Sequence, residues 1–313
     1  MSQSAFNLDG LVAIVTGGAR GVGRGHAREL ARWGAHVVVN DLGAAVDGTG
    51  RSAEADAVVA EIVADGGTAI ADYGDVSREE DVDAMFERAV AAWGRVDIVV
   101  NNAGIIRDGP IADMSVEDFD DVLAVHARGS WLTCRAAARH WRRRVAEGHS
   151  PYGRLINTTS GVGMGGNVNE SNYCAAKASI LGLTLALHME LAGDGITCNA
   201  IGPSGNTRLS LSAGTSTGNA LIDGDGSTWD PFDPSNSSPV VAWLASPEAS
   251  HVSGQVFRVY GDRIAVMGGW HEDRVLEGNR KRWDASGLGR QLATQAFSSW
   301  SPGWPDSLAR PSR

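Results

Sequence analysis

The sequence predicts an α/β fold: a doubly wound parallel sheet with helices on both faces, in a single domain (residues 1–267) with a Trp-rich C-terminal extension (residues 268–313). Three observations predict it. Short β-branched apolar runs alternate with segments of helical period. A glycine-rich turn joins the first run to the first helix. The chain has 313 residues, 43% of them hydrophobic, enough to bury one large core.

The elements follow in order. Leu11 to Thr16 reads as a buried strand, and Arg24 to Trp33 as a helix with Ala27, Leu30 and Ala31 on one face. His36 to Asn40 is the second strand. Ser52 to Ala64 reads as a helix and Thr68 to Ala71 as a strand. Arg78 to Trp93 is a helix whose early acids suit its dipole. Val96 to Val100 is a strand, and Ser115 to Val145 is one long helical stretch. Arg154 to Thr158, Ile196 to Ala200 and Gln255 to Val259 read as strands, the last being the final one. Ser171 to Leu191 and Pro239 to Ala245 read as helices. Such alternation means parallel βαβ units. Ser204 to Ser238 breaks the rhythm and reads as a long substrate loop. The tail with Trp270, Trp283, Trp300 and Trp304 also breaks it. That tail reads equally as a cap on the pocket, a clamp on a partner subunit or a loosely packed extension.

Composition narrows the function classes. The formal net charge of −10 disfavours nucleic acid and anionic membranes as partners. No apolar run approaches the roughly 20 residues of a membrane span, and the N-terminus lacks a signal pattern. Cys134, Cys174 and Cys198 follow no metal or disulfide spacing, so the expectation is a cytoplasmic protein without a bound metal. There are only two lysines, Lys177 and Lys281.

Between the first strand and first helix stands Thr16-Gly17-Gly18-Ala19-Arg20-Gly21-Val22-Gly23. Gly17, Gly21 and Gly23 permit a tight turn and close approach to a pyrophosphate at the helix N-terminus. The longer dinucleotide fingerprint would need glycine at His26, and a P-loop would need Lys where Arg24 stands. Placed here, the turn predicts a Rossmann-type dinucleotide site, with Arg20 and Val22 beside the cofactor. Asp41, ending the second strand, stands where an acid meets the adenosine ribose and repels a 2′-phosphate, favouring NAD over NADP. Arg20 argues the other way, and Asp41 also reads as a turn-forming residue before Gly43.

Tyr173 and Lys177 are four residues apart and share a helix face. An ammonium beside a phenol lowers its pKa and makes it a usable acid/base. Ser160 precedes Tyr173 by thirteen residues, just past a strand, where its hydroxyl can bond the substrate oxygen. One of only two lysines in the chain falls at this spot.

Thr16-Gly17-x-x-x-Gly21-x-Gly23, Asn101-Asn102-Ala103-Gly104 and Ser160 with Tyr173-x-x-x-Lys177 together resemble the classical short-chain dehydrogenase/reductase family, from about Leu8 to Tyr260. The resemblance implies that Asp75 and Val76 line the adenine pocket. Asn102, Ala103 and Gly104 would pass beneath the cofactor, Tyr173 and Lys177 would bond substrate and nicotinamide ribose, and Ile201 to Pro203 would flank the nicotinamide. Two departures stand out. His126 occupies the place of the family's catalytic asparagine, whose role there is carried by its backbone carbonyl; a packed helix histidine is the equal alternative. Gly202-Pro203 replaces a common Pro-Gly.

Val38 to Gly43, Val99 to Asp108, Val125 to Ser130, Tyr152 to Arg154 and the insert Ala44 to Gly50 are similar to a narrower group. It holds the (3R)-hydroxyacyl-CoA dehydrogenase (17-beta-hydroxysteroid dehydrogenase) unit of peroxisomal multifunctional enzymes and stand-alone bacterial relatives. The resemblance implies an NAD(P)-dependent oxidoreductase interconverting a secondary alcohol and a ketone on a 3-hydroxyacyl-CoA or hydroxysteroid, as a homodimer or homotetramer. A small or terpenoid alcohol substrate, or a non-catalytic dinucleotide sensor, are the alternatives; the intact Ser160, Tyr173 and Lys177 speak against the sensor. Arg142-Arg143-Arg144 reads either as a CoA-phosphate site or as a solvated helix end.

Overall fold

The computed structural model describes residues 6–43, 50, 52–205, 221–222, 228–269, 276 and 284–296. Contacts cluster into two compact units, Met1–Met267 and Gly268–Arg313. In the second, the described helix spans Ala285–Gln291 and ends in a π turn, Leu292–Ala296. Trp270, Trp283, Trp300 and Trp304 lie outside the described residues, as do residues 44–49 of the insert.

The first unit is built on β1 (Val12–Thr16), α1 (Gly21–Arg32), β2 (His36–Asn40), α2 (Glu54–Ala64), β3 (Thr68–Asp72), α3 (Glu79–Trp93) and β4 (Ile98–Asn101). It continues with α4 (Val116–Leu123), α5 (Gly129–Ala146), β5 (Gly153–Thr158), α6 (Gly161–Gly165), α7 (Ser171–Leu191) and β6 (Ile196–Ser204). Two short strands, β7 (Leu221–Ile222) and β8 (Thr228–Trp229), pair separately; α8 (Ser238–Ala245), β9 (Val256–Tyr260) and β10 (Arg263–Val266) follow. The main sheet has the order β10-β9-β6-β5-β4-β1-β2-β3. Every pairing is parallel except that of β10 with β9. The order reverses between β1 and β4, the switch point at whose strand carboxyl ends such sheets bind ligands.

Strand alternation divides the core. Ala13 and Val15 of β1, with Val37 and Val39 of β2, pack with Leu30 of α1, Ile62 of α2 and Leu244 of α8. Val12 and Ile14, one residue out of step, join Met85 and Phe86 of α3 and Trp141 of α5 on the other face. Over the first face, arginines recur every fourth residue from Arg20, just before α1, into the helix. Arg20 pairs with Glu54, Arg24 with Glu61 at 2.7 Å, and Arg28 with Asp65 at 3.0 Å, tying α1 to α2. Ser115 caps α4 by accepting the Asp118 N–H at 3.0 Å.

Five features depart from the sequence reading. The long helical stretch is interrupted by a π turn at Ala124–Arg128. Gly161–Gly165 forms a short helix despite its three glycines, because Ser160 starts it and Gly163 lets it lie on α7. The stretch read as a loop from Ser204 contains the β7–β8 ladder and a 3₁₀ turn at Pro234–Ser237; residues 206–220 and 223–227 lie outside the described residues. The strand after Ala245 is not the last: Gly261, at φ +54°, reverses the chain so that Arg263–Val266 adds an exposed edge. Finally, Ser171–Asp194 is long and apolar enough to cross a membrane by length and composition, with a mean hydropathy of 1.3. It carries buried Asn172 and Lys177 and packs against β6, α4 and α6.

A chain of buried polar groups crosses the sheet just below its carboxyl edge. Thr133 of α5 donates to Asn101 of β4, whose Nδ2 donates to Asn157 of β5 at 2.9 Å. Asn157 Nδ2 in turn donates to Thr184 of α7 at 3.0 Å. Asn157 is fully buried, so Asn157→Ala strands two partners and opens a cavity. The expected loss is about 2–4 kcal/mol of unfolding free energy, read by urea denaturation. A loss within experimental error of zero would show that the chain adds nothing to stability.

Candidate active site

The glycine turn is held from below by β4. Asn102 Nδ2 donates to the carbonyls of Thr16 and Gly17 at 3.1 and 3.0 Å. The Thr16 hydroxyl accepts the N–H groups of Asn102 and Ala103 at 3.0 and 3.1 Å. This closeness explains the glycines. Gly17 has φ +61°, and a Cβ there would lie 2.8 Å from Ala103 Cα; a Cβ on Gly23 would run into the Gly17 carbonyl oxygen. Gly21 opens α1 at φ +49°, with Val22 next to it in the first turn.

Asp41 accepts the Ala19 N–H at 3.0 Å and the Gly43 N–H at 2.8 Å. The turn-forming reading of this residue holds, and the same carboxylate also reaches across to the glycine turn. Arg20 is drawn away toward α2, paired with Glu54 and donating to the Ser52 hydroxyl at 3.3 Å. Asp75 is fixed by accepting the Ser77 N–H at 2.8 Å, while its own N–H donates to Asp81. Val76 is buried against Gly129. Asn40, which the sequence reading passed over, ties β2 to β3 through Asp72 at 2.7 Å and Gly74 at 2.9 Å. This set of close backbones and helix N-terminus fits a dinucleotide.

Tyr173 stands in the first turn of α7. Asn172 sets its position: Asn172 Nδ2 donates to the Arg107 carbonyl at 2.8 Å, and its Oδ1 accepts the Tyr173 N–H at 2.7 Å. Asn172 was missed as a site residue; its polar side chain immediately before the tyrosine was the available signal. The Ser160 hydroxyl hydrogen-bonds the Tyr173 phenol and also accepts the Val162 N–H at 3.4 Å. Lys177 Nζ lies 5.5 Å from the centre of the Tyr173 ring and donates to the Thr158 carbonyl at 2.8 Å. Thr159 Oγ1 donates back to the Lys177 carbonyl at 2.8 Å, locking α7 to the end of β5. A Cβ on Gly202 of β6 would stand 3.5 Å from Met164 Cε and 3.8 Å from the Ser160 carbonyl carbon, and Pro203 follows it in register with Val259. Ser160, Tyr173 and Lys177 therefore meet at the carboxyl ends of β5 and β6.

The electrostatics differ from the simple expectation. Burial, followed by the Glu170 carboxylate, raises the Tyr173 phenol above its ordinary value; the Ser160 hydrogen bond opposes this. Burial also pushes Lys177 down to about 7. The lysine thus does not dominate the phenol as the sequence pattern suggested, because both groups are desolvated together. Tyr173 is a neutral phenol at neutral pH, the form that donates a proton to a carbonyl oxygen.

His126 is buried in the π turn, its ring edge-on to Tyr173 with centroids 5.2 Å apart. Its Nε2 faces the Ile105 N–H at 3.1 Å and the Ile105 carbonyl at 2.9 Å; the tautomer selects which bond forms. Burial first, and the Lys177 charge second, hold its pKa well below the ordinary value, so the ring is neutral. Gly104 makes room, since a Cβ there would strike the imidazole. The histidine side chain thus clamps the segment after β4 that runs from Asn102 to Ile105. Arg142 pairs with Asp194 at 2.8 Å, and Arg144 donates to the Gly94 carbonyl at 3.1 Å. Gly94 precedes β4, so this cluster sits at the amino edge of the sheet, and its reading as a solvated helix end stands over the CoA-phosphate one.

A lysine whose pKa falls on folding from 10.5 to about 7 destabilises the fold wherever it must carry charge. The penalty is complete below pH 7 and is relieved as pH rises toward 10. Lys177→Met should therefore raise the thermal midpoint over wild type most at pH 6, with the gain shrinking by pH 10. A gain independent of pH would refute a strained ammonium.

Comparison with known proteins agrees with this geometry. The family model described as short chain dehydrogenase matches residues 11–213. The chain is 41% identical over 289 residues to the hydroxyacyl-CoA dehydrogenase ChsB1 of Mycobacterium tuberculosis, covering 92% of this chain and 89% of that protein. It is 38% identical over 257 residues to mouse peroxisomal multifunctional enzyme type 2, covering 82% of this chain but only 32% of that longer protein. A crystal structure of a short chain dehydrogenase from Mycobacterium avium superposes with a TM-score of 0.82 at 43% identity, covering 95% of this chain and 98% of that one. The glycine turn, its brace and the Ser160–Tyr173–Lys177 cluster thus sit in a chain that belongs to the short-chain dehydrogenase family, oxidoreductases of CH–OH groups that bind a nicotinamide dinucleotide.

Proposed function

We propose that the protein is an NAD-dependent dehydrogenase of 3-hydroxyacyl-CoA thioesters. The observation that carries the chemistry is Tyr173 held against Ser160 beside Lys177, at the strand edge that also presents the glycine turn. The substrate class is supported by the relative named hydroxyacyl-CoA dehydrogenase, which this chain matches over most of both lengths.

The bound dinucleotide supplies the hydride acceptor or donor. The chain's own residues handle the proton and the orientation. Ser160 donates a hydrogen bond to the substrate oxygen and fixes it against Tyr173. In reduction the neutral Tyr173 phenol donates its proton to that oxygen; in oxidation the phenolate removes it. A charged Lys177 favours the phenolate, so the oxidative direction depends on the lysine more than the reductive one does. His126 keeps residues 102–105 in place beneath this centre rather than touching substrate.

NAD over NADP is supported by two contacts. The Asp41 carboxylate is pinned beside the glycine turn, where a negative charge would repel a 2′-phosphate, and Arg20 is engaged by Glu54 and Ser52. Phe119, Trp131, Leu185 and Met189 are exposed apolar residues on α4, α5 and α7, which supports a homo-oligomer formed through these helices.

The test is NAD reduction by the purified protein on (3R)-hydroxyacyl-CoAs, with hydroxysteroids as the competing class. Tyr173→Phe should lower kcat by about 10²- to 10⁴-fold while NADH still binds, the range for loss of a general acid/base. Normal turnover by that variant would remove Tyr173 from proton transfer. Asp41→Ala should narrow the ratio of kcat/KM for NAD over NADP; an unchanged ratio would place cofactor selection elsewhere.

A further inference from the structure

Arg258 is a cation that the mechanism above leaves unused. It sits in the middle of β9, in register with Gly202 of β6. Its neighbours Phe257 and Val259 are buried in the core, and Phe257 meets Trp243 edge-on. Alternation along the strand therefore sends Arg258 to the opposite face. There its guanidinium lies along Gly161, the residue after Ser160. A Cβ on Gly161 would stand 3.6 Å from Nη2, 3.7 Å from Cζ and 3.8 Å from Nε. Two residues on, Gly163 presses on α7, where a Cβ would meet Lys177 Cβ at 2.7 Å. The helix that Ser160 opens is thus flanked by Lys177 on one side and Arg258 on the other.

Arg258 is partly buried and, among the described residues, its side chain has no hydrogen bond, ion pair or ring contact. Arg20, Arg24 and Arg28 contrast with it, for all three meet acids. A guanidinium presents five N–H donors in a fixed fork, and leaving them half-desolvated without an acceptor is unfavourable. An oxygen brought by a ligand would relieve that. The donors stand one residue from Ser160, so they address an oxygen other than the one held by Ser160 and Tyr173. In a 3-hydroxyacyl thioester the neighbouring oxygen is the thioester carbonyl, two carbons from the reacting centre.

We propose that Arg258 recognises the thioester end of the substrate by donating to its carbonyl oxygen. This rests on the acyl-CoA reading above. It makes Arg258 a specificity residue that prefers alcohols with a carbonyl in the 1,3 relation.

Arg258→Met and Arg258→Lys test it. Both would be assayed with NAD on a 3-hydroxyacyl-CoA and on the same acyl group carried by N-acetylcysteamine, which keeps the thioester but lacks the CoA phosphates. NADH binding, followed by fluorescence, reports that each variant is folded. The expected result is a loss of about tenfold or more in kcat/KM on both thioesters for Arg258→Met, the scale of one lost charge-assisted hydrogen bond, with partial recovery in Arg258→Lys. Undiminished activity on both would overturn the assignment. A loss confined to the CoA ester would overturn it too, moving the contact to the CoA phosphates. Equal losses in both variants together with lost NADH binding would mean a structural role and also overturn it. A wild-type enzyme silent on both thioesters would instead defeat the acyl-CoA reading itself, and the Arg258 assignment with it.

Discussion

The site depends on one brace: the end of β4 held against the turn that follows β1. Asn102 reaches two carbonyls of that turn, and the Thr16 hydroxyl takes two amides in return. Four hydrogen bonds in so small a space leave no room for side chains on Gly17 and Gly23. The same crowding sets what lies beyond. Gly104 must be bare because the His126 imidazole fills its space, and that imidazole is anchored on Ile105. The glycine turn and the segment from Asn102 to Ile105 are therefore braced as one unit.

The second half of the site is built by a different route. Tyr173 and Lys177 owe their spacing to the helix, but the helix owes its position to Asn172, Thr159 and Gly163. Behind them runs the polar chain from Thr133 through Asn101 and Asn157 to Thr184, linking α5, β4, β5 and α7. A buried polar chain of this kind is stable only when every member has its partner, so it specifies how the layers seat on one another. Burial has a chemical consequence as well. It keeps Tyr173 protonated and brings Lys177 to about 7, so small changes of environment at this pair move protons near neutral pH.

Much of this was legible in the residues. The strand and helix alternation, the glycine turn, Asp41 and the Ser160, Tyr173 and Lys177 set all fall where local pattern and spacing put them. Other features had weak local signals. The π turn at Ala124–Arg128 sits within a stretch of unbroken helical period, and nothing in its residue types marks the change of hydrogen bonding. Strand β10 lies on an exposed edge and lacks the buried apolar run that betrays the inner strands; only Gly261-Asp262 hints at the reversal.

The sequence by itself determined the class of fold, the glycine turn and which residues stand as the candidate acid/base set. These depend on period, glycine placement and side-chain chemistry, which are local properties of the chain. Tertiary structure alone decided which reading of the ambiguous residues holds. Arg20 turns to Glu54, Arg142 to Asp194 and His126 to the Ile105 backbone. A charged or polar side chain has several chemically reasonable partners, and the one it meets is set by which distant segments the packed sheet brings within hydrogen-bond range.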